Sequence, residues 1–415
     1  MGKLRCLVLV LIAGCSADVA NSPGGNNNTA SRPPHKDLYP WKNPNPYATP
    51  PVQPSNPDPN PGAPLECNQR QFTGAAICTA EKEWAWVPFP EAKCRDGSST
   101  GIGVRLNSES SKVVIYLEGG GACFHNDSCI INDVLLNWGE TQFNAWVTAT
   151  GSAGIFDSSR SDNPFQDWNI VYVPYCTGDV HAGAKEHVDV PGGPSDQMFV
   201  GYSNIGHYLE RLVPTFGAAD HVVLTGISAG GVGAAFNYDR VAQAFCKSKV
   251  TLLDDSGPVM ADQYLQPCLQ ERWREIWNLD ATLPSDCAAC RGPDGGGLVN
   301  YLPYLTNKYP SEQLGIISAN QDSIISLFFG YGSNHCAGLT GVSAGMSGSA
   351  FEAGLMDVRD RYIMPSKNWG SYLIDSTSHT WITALTFYNT TVNGTPLTTW
   401  VDQLVNHGTV SQVAP

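Results

Sequence analysis

Ser228 stands in Gly226-Ile227-Ser228-Ala229-Gly230, directly after the β-branched run His221-Val222-Val223-Leu224-Thr225. A small-residue segment that reads as helix follows it. A serine on a strand-to-helix turn between glycines is the sequence form of a nucleophile elbow, because missing β-carbons leave room for the tight turn. The chemistry on offer is acyl transfer. A serine hydroxyl is a weak nucleophile at neutral pH. It needs a base, usually histidine, and a carboxylate that fixes the histidine tautomer.

In chains with this elbow the order is Ser, then Asp or Glu, then His, each just beyond a strand end. Asp322 is the first candidate acid. It follows the apolar run Gly315-Ile316-Ile317-Ser318. Asp254 and Asp255 compete, but they end the strand immediately after the nucleophile strand, in an Asp-Ser-Gly-Pro turn where a carboxylate often bonds backbone amides. His379 is the first candidate base, in the loop after Ser371-Tyr372-Leu373-Ile374. His335 is the alternative, although only thirteen residues past Asp322 with no strand between. His181 and His207 precede Ser228 and fail the order. Asp375 reads as a loop-bracing residue. The oxyanion of a tetrahedral intermediate needs preorganised N–H donors. Gly119-Gly120-Gly121-Ala122 follows a strand, so Gly120 and Gly121 are the candidate donors, with the amide of Ala229 beside the nucleophile. No Gly-Lys-Ser/Thr follows the glycines, so they are not a nucleotide phosphate loop.

The positioning elements are legible as nearly continuous apolar runs at 112–117, 168–173, 221–227, 250–253, 315–318 and 371–374. Such runs suit strands covered on both faces. Helical segments are read at 203–212 and 232–246. Strands alternating with helices predict an α/β fold: a mostly parallel, α/β-hydrolase-like sheet flanked by helices, with functional groups at the C-terminal strand ends. The 415 residues are 42% hydrophobic and only 15% charged, with a net charge of −14. That charge argues against nucleic acid or an anionic membrane as a charge-driven partner.

Lys3 and Arg5 precede an apolar run at 7–13 that is too short to span a bilayer. Ile12-Ala13-Gly14-Cys15 has the form of a lipobox. The expected organisation is a lipoprotein signal at 1–14, lipid on Cys15, a Pro/Asn-rich tether at 15–66 and a catalytic domain at 67–415. Ser16 in place of Asp favours the outer membrane or cell surface over inner-membrane retention. Ordinary secretion is the alternative. Export makes disulfides plausible. Eleven cysteines remain after Cys6 and Cys15, so at least one is unpaired. Cys123 and Cys129 are the expected pair. Cys287 and Cys290 could form half a metal site, but no second CxxC accompanies them, so disulfides to Cys268 or elsewhere are expected.

These blocks together resemble the pectin acetylesterase and Notum family of α/β-hydrolases over most of residues 80 to 385. Tyr116-Leu117-Glu118-Gly119-Gly120-Gly121-Ala122-Cys123 is similar to its oxyanion block. Val173-Pro174-Tyr175-Cys176-Thr177-Gly178-Asp179-Val180-His181-Ala182-Gly183 is similar to its second block. The nucleophile block runs from Gly226 to Gly233 and on through Asn237-Tyr238-Asp239-Arg240-Val241, and Asp254-Asp255-Ser256-Gly257 resembles the next. Asp322 and His379 fall where the family's acid and base lie. The resemblance implies carboxylester hydrolysis with no metal or organic cofactor. The chain departs from Notum-like members at Gly121-Ala122, where those have a bulky aromatic, and from plant-like members at Thr380, where those tend to have cysteine. An acetylated polysaccharide such as pectin is the expected substrate, with the chain acting as a monomer whose only membrane contact is its lipid anchor. A longer-chain acyl esterase is one rival. The other is a catalytically silent polysaccharide-binding protein, with Trp84, Trp86, Trp138 and Trp146 as stacking platforms.

Overall fold

The computed structural model describes residues 67–415 apart from 132–135, 342 and 344. The expected signal peptide, lipid-bearing Cys15 and tether lie outside the described residues. The core is a nine-stranded sheet: β1 (Trp84–Lys93), β2 (Ser99–Arg105), β3 (Lys112–Leu117), β4 (Asn169–Val173), β5 (His221–Ile227), β6 (Lys249–Asp255), β7 (Leu314–Ala319), β8 (Trp369–Ile374) and β9 (Gln412–Val413). Their spatial order is β1-β2-β4-β3-β5-β6-β7-β8-β9. Every neighbouring pair from β4 to β9 is parallel, and β2 alone runs against the rest. This is the mostly parallel α/β-hydrolase-like sheet that the apolar runs predict.

Alternation along the strands feeds two cores. Val113, Ile115 and Leu117 of β3 point into one, Val114 and Tyr116 into the other. The first core is closed by α2 (Gly201–Phe216) and α3 (Ala229–Ala244), the second by α1 (Glu140–Ala149) and α7 (Leu397–His407). Helix α2 buries Ile205, Tyr208, Leu209, Leu212, Val213 and Phe216, the i, i+3, i+4, i+7 stripe of an amphipathic helix. Helix α7 repeats the pattern with Leu397, Trp400, Val401, Leu404 and Val405. Three more helices bear on the site: α4 (Pro267–Trp277), α5 (Ser323–Phe329) and α6 (Gly348–Val358).

The sequence reading does not include β1 and β2. Pro88 and Pro90 interrupt β1, which is tolerated because it lies at the edge of the sheet. Gly101 and Gly103 interrupt β2, and both are forced by packing. A β-carbon at Gly101 would sit 2.3 Å from the Val87 carbonyl, and one at Gly103 would sit 2.2 Å from the Phe143 ring.

Five disulfides brace the described residues: Cys67–Cys246, Cys94–Cys176, Cys123–Cys129, Cys268–Cys336 and Cys287–Cys290. Cys78 is free and exposed. The pairing corrects one expectation. Cys287 and Cys290 bond each other across the short helical turn Ala288–Cys290, while Cys268 on α4 reaches Cys336. Five disulfides fit an oxidising, extracytoplasmic compartment. No described helix is long and apolar enough to cross a membrane.

Candidate active site

Ser228 caps α3 at φ 56° and ψ −122°, a backbone conformation that non-glycine residues rarely adopt. The strain is held by packing on both sides. The Ser228 amide donates to the Asp255 carbonyl at 2.7 Å, and its carbonyl accepts from Val232 at 3.1 Å. The flanking glycines are obligatory. A β-carbon at Gly226 would lie 2.3 Å from the Gly230 carbonyl, and one at Gly230 would lie 2.0 Å from the Leu117 carbonyl. So β5 turns into α3 only because the chain is bare there, which sets Ser228, itself buried, at the C-terminal edge of the sheet.

The glycine loop after β3 lies against this elbow. A β-carbon at Gly119 would come within 2.9 Å of Ser228 Cβ. Gly120 and Gly121 take φ of 153° and 81°, which a side chain would resist. The loop is tied down from behind: Tyr175 donates its hydroxyl hydrogen to the Gly121 carbonyl at 2.9 Å and accepts from the Val180 amide at 2.8 Å. The Cys123 amide donates to Gly178 at 2.7 Å. Ala229 opens α3, where first-turn amides and the helix dipole favour negative charge.

Asp322 and His379 meet. Asp322 is fully buried as the N-cap of α5, and its two oxygens have separate work. Oδ1 accepts the amides of Ile324 and Ile325 at 2.9 and 3.0 Å. Oδ2 lies 2.7 Å from His379 Nδ1. With Nδ1–H donating to the carboxylate, Nε2 is left as an acceptor. His379 Nε2 is buried and has no hydrogen-bond partner among the described residues.

The competing carboxylates do other things. Asp254 Oδ1 accepts the Gly257 amide at 2.9 Å. Asp255 Oδ2 accepts the Trp381 and Ile382 amides at 2.7 and 2.8 Å, and its neighbour Ser256 accepts Thr380 N at 3.2 Å. Asp255 thus grips the elbow through its backbone and the His379 loop through its side chain, which fixes His379 and Ser228 relative to each other. Burial pushes its carboxyl up to about 6, against those amides, the Ser256 hydroxyl and His379. The sequence reading missed this role, because the partners lie more than 120 residues downstream.

His335 is exposed, in a left-handed turn beside the Cys268–Cys336 disulfide, and it is His379 that the Asp322 carboxylate bonds. His181 braces the loop instead: its Nε2–H donates to the Glu118 carbonyl at 2.8 Å. Burial lowers its basicity to about 4, so the ring is neutral in that role. Asp179 accepts Thr177 Oγ and the Gly201 amide at 2.6 and 2.7 Å, joining the second sequence block to the start of α2. The tryptophans are core. Trp146 is buried, stacked 3.8 Å from the Tyr172 ring, and Trp84 packs edge-on against Trp146 at 5.2 Å. Trp86 and Trp138 are half-buried against the same cluster.

Strand order, parallel pairing and an elbow at the C-terminal edge of β5 define the architectural class, the α/β-hydrolase-like fold. Residues 86–298 match the model of the pectinacetylesterase family. The chain belongs to that family. The matched segment holds Ser228, the glycine loop, Asp254 and Asp255, and ends before Asp322 and His379. Curated relatives are similar over shorter stretches. A palmitoleoyl-protein carboxylesterase notum2 of Xenopus laevis is 33% identical over 36% of this chain and 30% of its own length. The Drosophila melanogaster palmitoleoyl-protein carboxylesterase NOTUM is 28% identical over 47% and 31%. The Homo sapiens NOTUM is 31% identical over 40% and 34%. The chain spans about a third of the length of the curated relatives it matches.

Proposed function

We propose that this protein is an extracytoplasmic serine carboxylesterase that removes O-acetyl groups from a polysaccharide such as pectin. The observation that carries the reading is the pair of buried Asp322 and half-buried His379, with His379 Nε2 unpartnered among the described residues, in a loop that Asp255 ties to the Ser228 elbow. Ser228 attacks the ester carbonyl while His379 Nε2 takes its proton. Asp322 orients the ring and stabilises its cation. The amides of Gly120, Gly121 and Ala229 hold the oxyanion. The intermediate collapses, the alcohol leaves with the proton from His379, and an acyl-Ser228 remains. Water then attacks with His379 again as base, and the carboxylic acid departs. The scheme draws on no cofactor.

The lipobox reading extends this to a lipid-anchored enzyme on the outer membrane or cell surface, monomeric and held off the bilayer by the tether. The family name favours acetyl ester. The names of the curated relatives favour the second reading, a longer acyl chain on a protein. A series of p-nitrophenyl esters from acetate to palmitate separates the two. The proposal expects the highest kcat/KM on acetate, falling at least about tenfold by octanoate. An optimum at octanoate or beyond transfers the assignment to long-chain deacylation. In the Ser228→Ala variant turnover is expected to fall by roughly 10⁶, as for loss of the nucleophile from an intact triad. Retained turnover would refute Ser228 as the nucleophile.

A further inference from the structure

The buried acid that this mechanism leaves unused is Glu118, which joins β3 to the glycine loop. Its backbone is fixed at both ends: its N–H donates to the Val173 carbonyl at 3.0 Å, and its carbonyl accepts from His181 at 2.8 Å. The next residue, Gly119, is packed onto Ser228. Val114 and Tyr116 of β3 face the second core, and Glu118, just past the strand end, is near enough to Tyr116 to act on its phenol. The residue is half-buried, yet its Oε2 is sealed from water and has no hydrogen-bond partner among the described residues. Burial is the whole cause of an upward shift to about 8.

Among the described residues no neighbouring group offsets a charge at this point. Tyr116, on the same strand, has its phenol raised by burial first and then by Glu118 and Asp255. Tyr172 on β4 is buried with its hydroxyl unpartnered, and Tyr175 beyond it is raised by burial. His181 is neutral, and Asp255 on β6 is anionic above about 6. His379, on the loop after β8, must be neutral to accept the Ser228 proton.

We propose that Glu118 is a positioning residue that governs the oxyanion loop through its charge. With its proton on, the loop meets only the oxyanion that develops on the substrate. With its proton off, a second buried negative charge stands at the root of the same loop and opposes the transition state. Activity is therefore present below about 8, where the carboxyl keeps its proton, and is lost as the pH rises through that value. This inference rests on the esterase reading above.

The test is the pH profile of kcat/KM on p-nitrophenyl acetate for the full chain and for Glu118→Gln, each normalised to its own plateau. The wild type is expected to lose about tenfold per pH unit above about 8, the slope of a single ionisation. Glu118→Gln is expected to hold its plateau at least about one unit further. An unmoved alkaline limb overturns the inference and leaves the esterase reading standing. A wild type silent on every ester at every pH overturns both. A second measurement needs no variant. Carboxyl ionisation is nearly athermal, whereas imidazole and ammonium ionisations shift markedly on warming. The wild-type alkaline pKa is expected to stay put with temperature, and a strong downward drift overturns the assignment even if Glu118→Gln does not fold.

Discussion

Asp322→Asn is expected to lower kcat on p-nitrophenyl acetate by about 10⁴-fold while leaving the fold intact. The reason lies in how the two carboxylate oxygens are used. Oδ1 accepts the amides of Ile324 and Ile325 at the start of α5, so an asparagine will turn its oxygen there and keep the cap. Its NH₂ then faces His379 Nδ1, which sits 2.7 Å from Oδ2 in the wild type. Facing a donor, Nδ1 must become the acceptor, and the ring proton moves to Nε2. The imidazole is then the wrong tautomer to take a proton from Ser228, and the charge that stabilises its cation is gone. Steady-state kinetics with a thermal melt check this. A loss below about tenfold with an unchanged melt would mean that Asp322 only caps α5.

The second large effect is on the elbow itself. Gly230→Ala places a β-carbon 2.0 Å from the Leu117 carbonyl oxygen and 2.8 Å from that of Glu118. Both contacts are backbone, so no side-chain rotation relieves them. Helix α3 must back away from β3, taking Ser228 and the Ala229 amide with it. Overpacking of side chains costs about 1–3 kcal/mol, and a backbone clash at the centre of the sheet is expected to exceed that range. Urea unfolding read by tryptophan fluorescence should show the loss. Any folded fraction should also be depleted in turnover, because Gly119, next after Glu118, packs against Ser228. Wild-type stability and activity in this variant would mean that α3 and β3 are less closely packed than described.

The parts of the fold that could be read from sequence are those with a local signature. Strands β3 to β8 are covered on both faces, so they appear as unbroken apolar runs, and the elbow glycines are dictated by contacts within a few residues. Helix ends differ by a few residues: the 203–212 segment extends to Gly201–Phe216, while the 232–246 segment starts three residues earlier and stops two earlier, as Ala229–Ala244. Strands β1 and β2 were hidden because Pro88, Pro90, Gly101 and Gly103 erase the usual pattern for reasons visible only in packing. The Cys123–Cys129 pair was legible from its short loop, whereas the other four pairs were not, because connectivity is a matter of distance in space. Chain order gathered Asp322 and His379 as candidates. It could not show that Asp255, a rival for the acid, instead holds the His379 loop against the Ser228 elbow. Nor could it show that the glutamate before the glycines is buried without a partner.

The central claim is that Ser228 is an activated nucleophile, and covalent labelling tests it most directly. A fluorophosphonate probe should add once to the full chain, with the adduct mapping to Ser228 by peptide mass spectrometry. Labelling should vanish in Ser228→Ala and slow sharply in Asp322→Asn and His379→Ala. A folded wild-type protein that takes no label, or that takes it at another residue, would contradict the account.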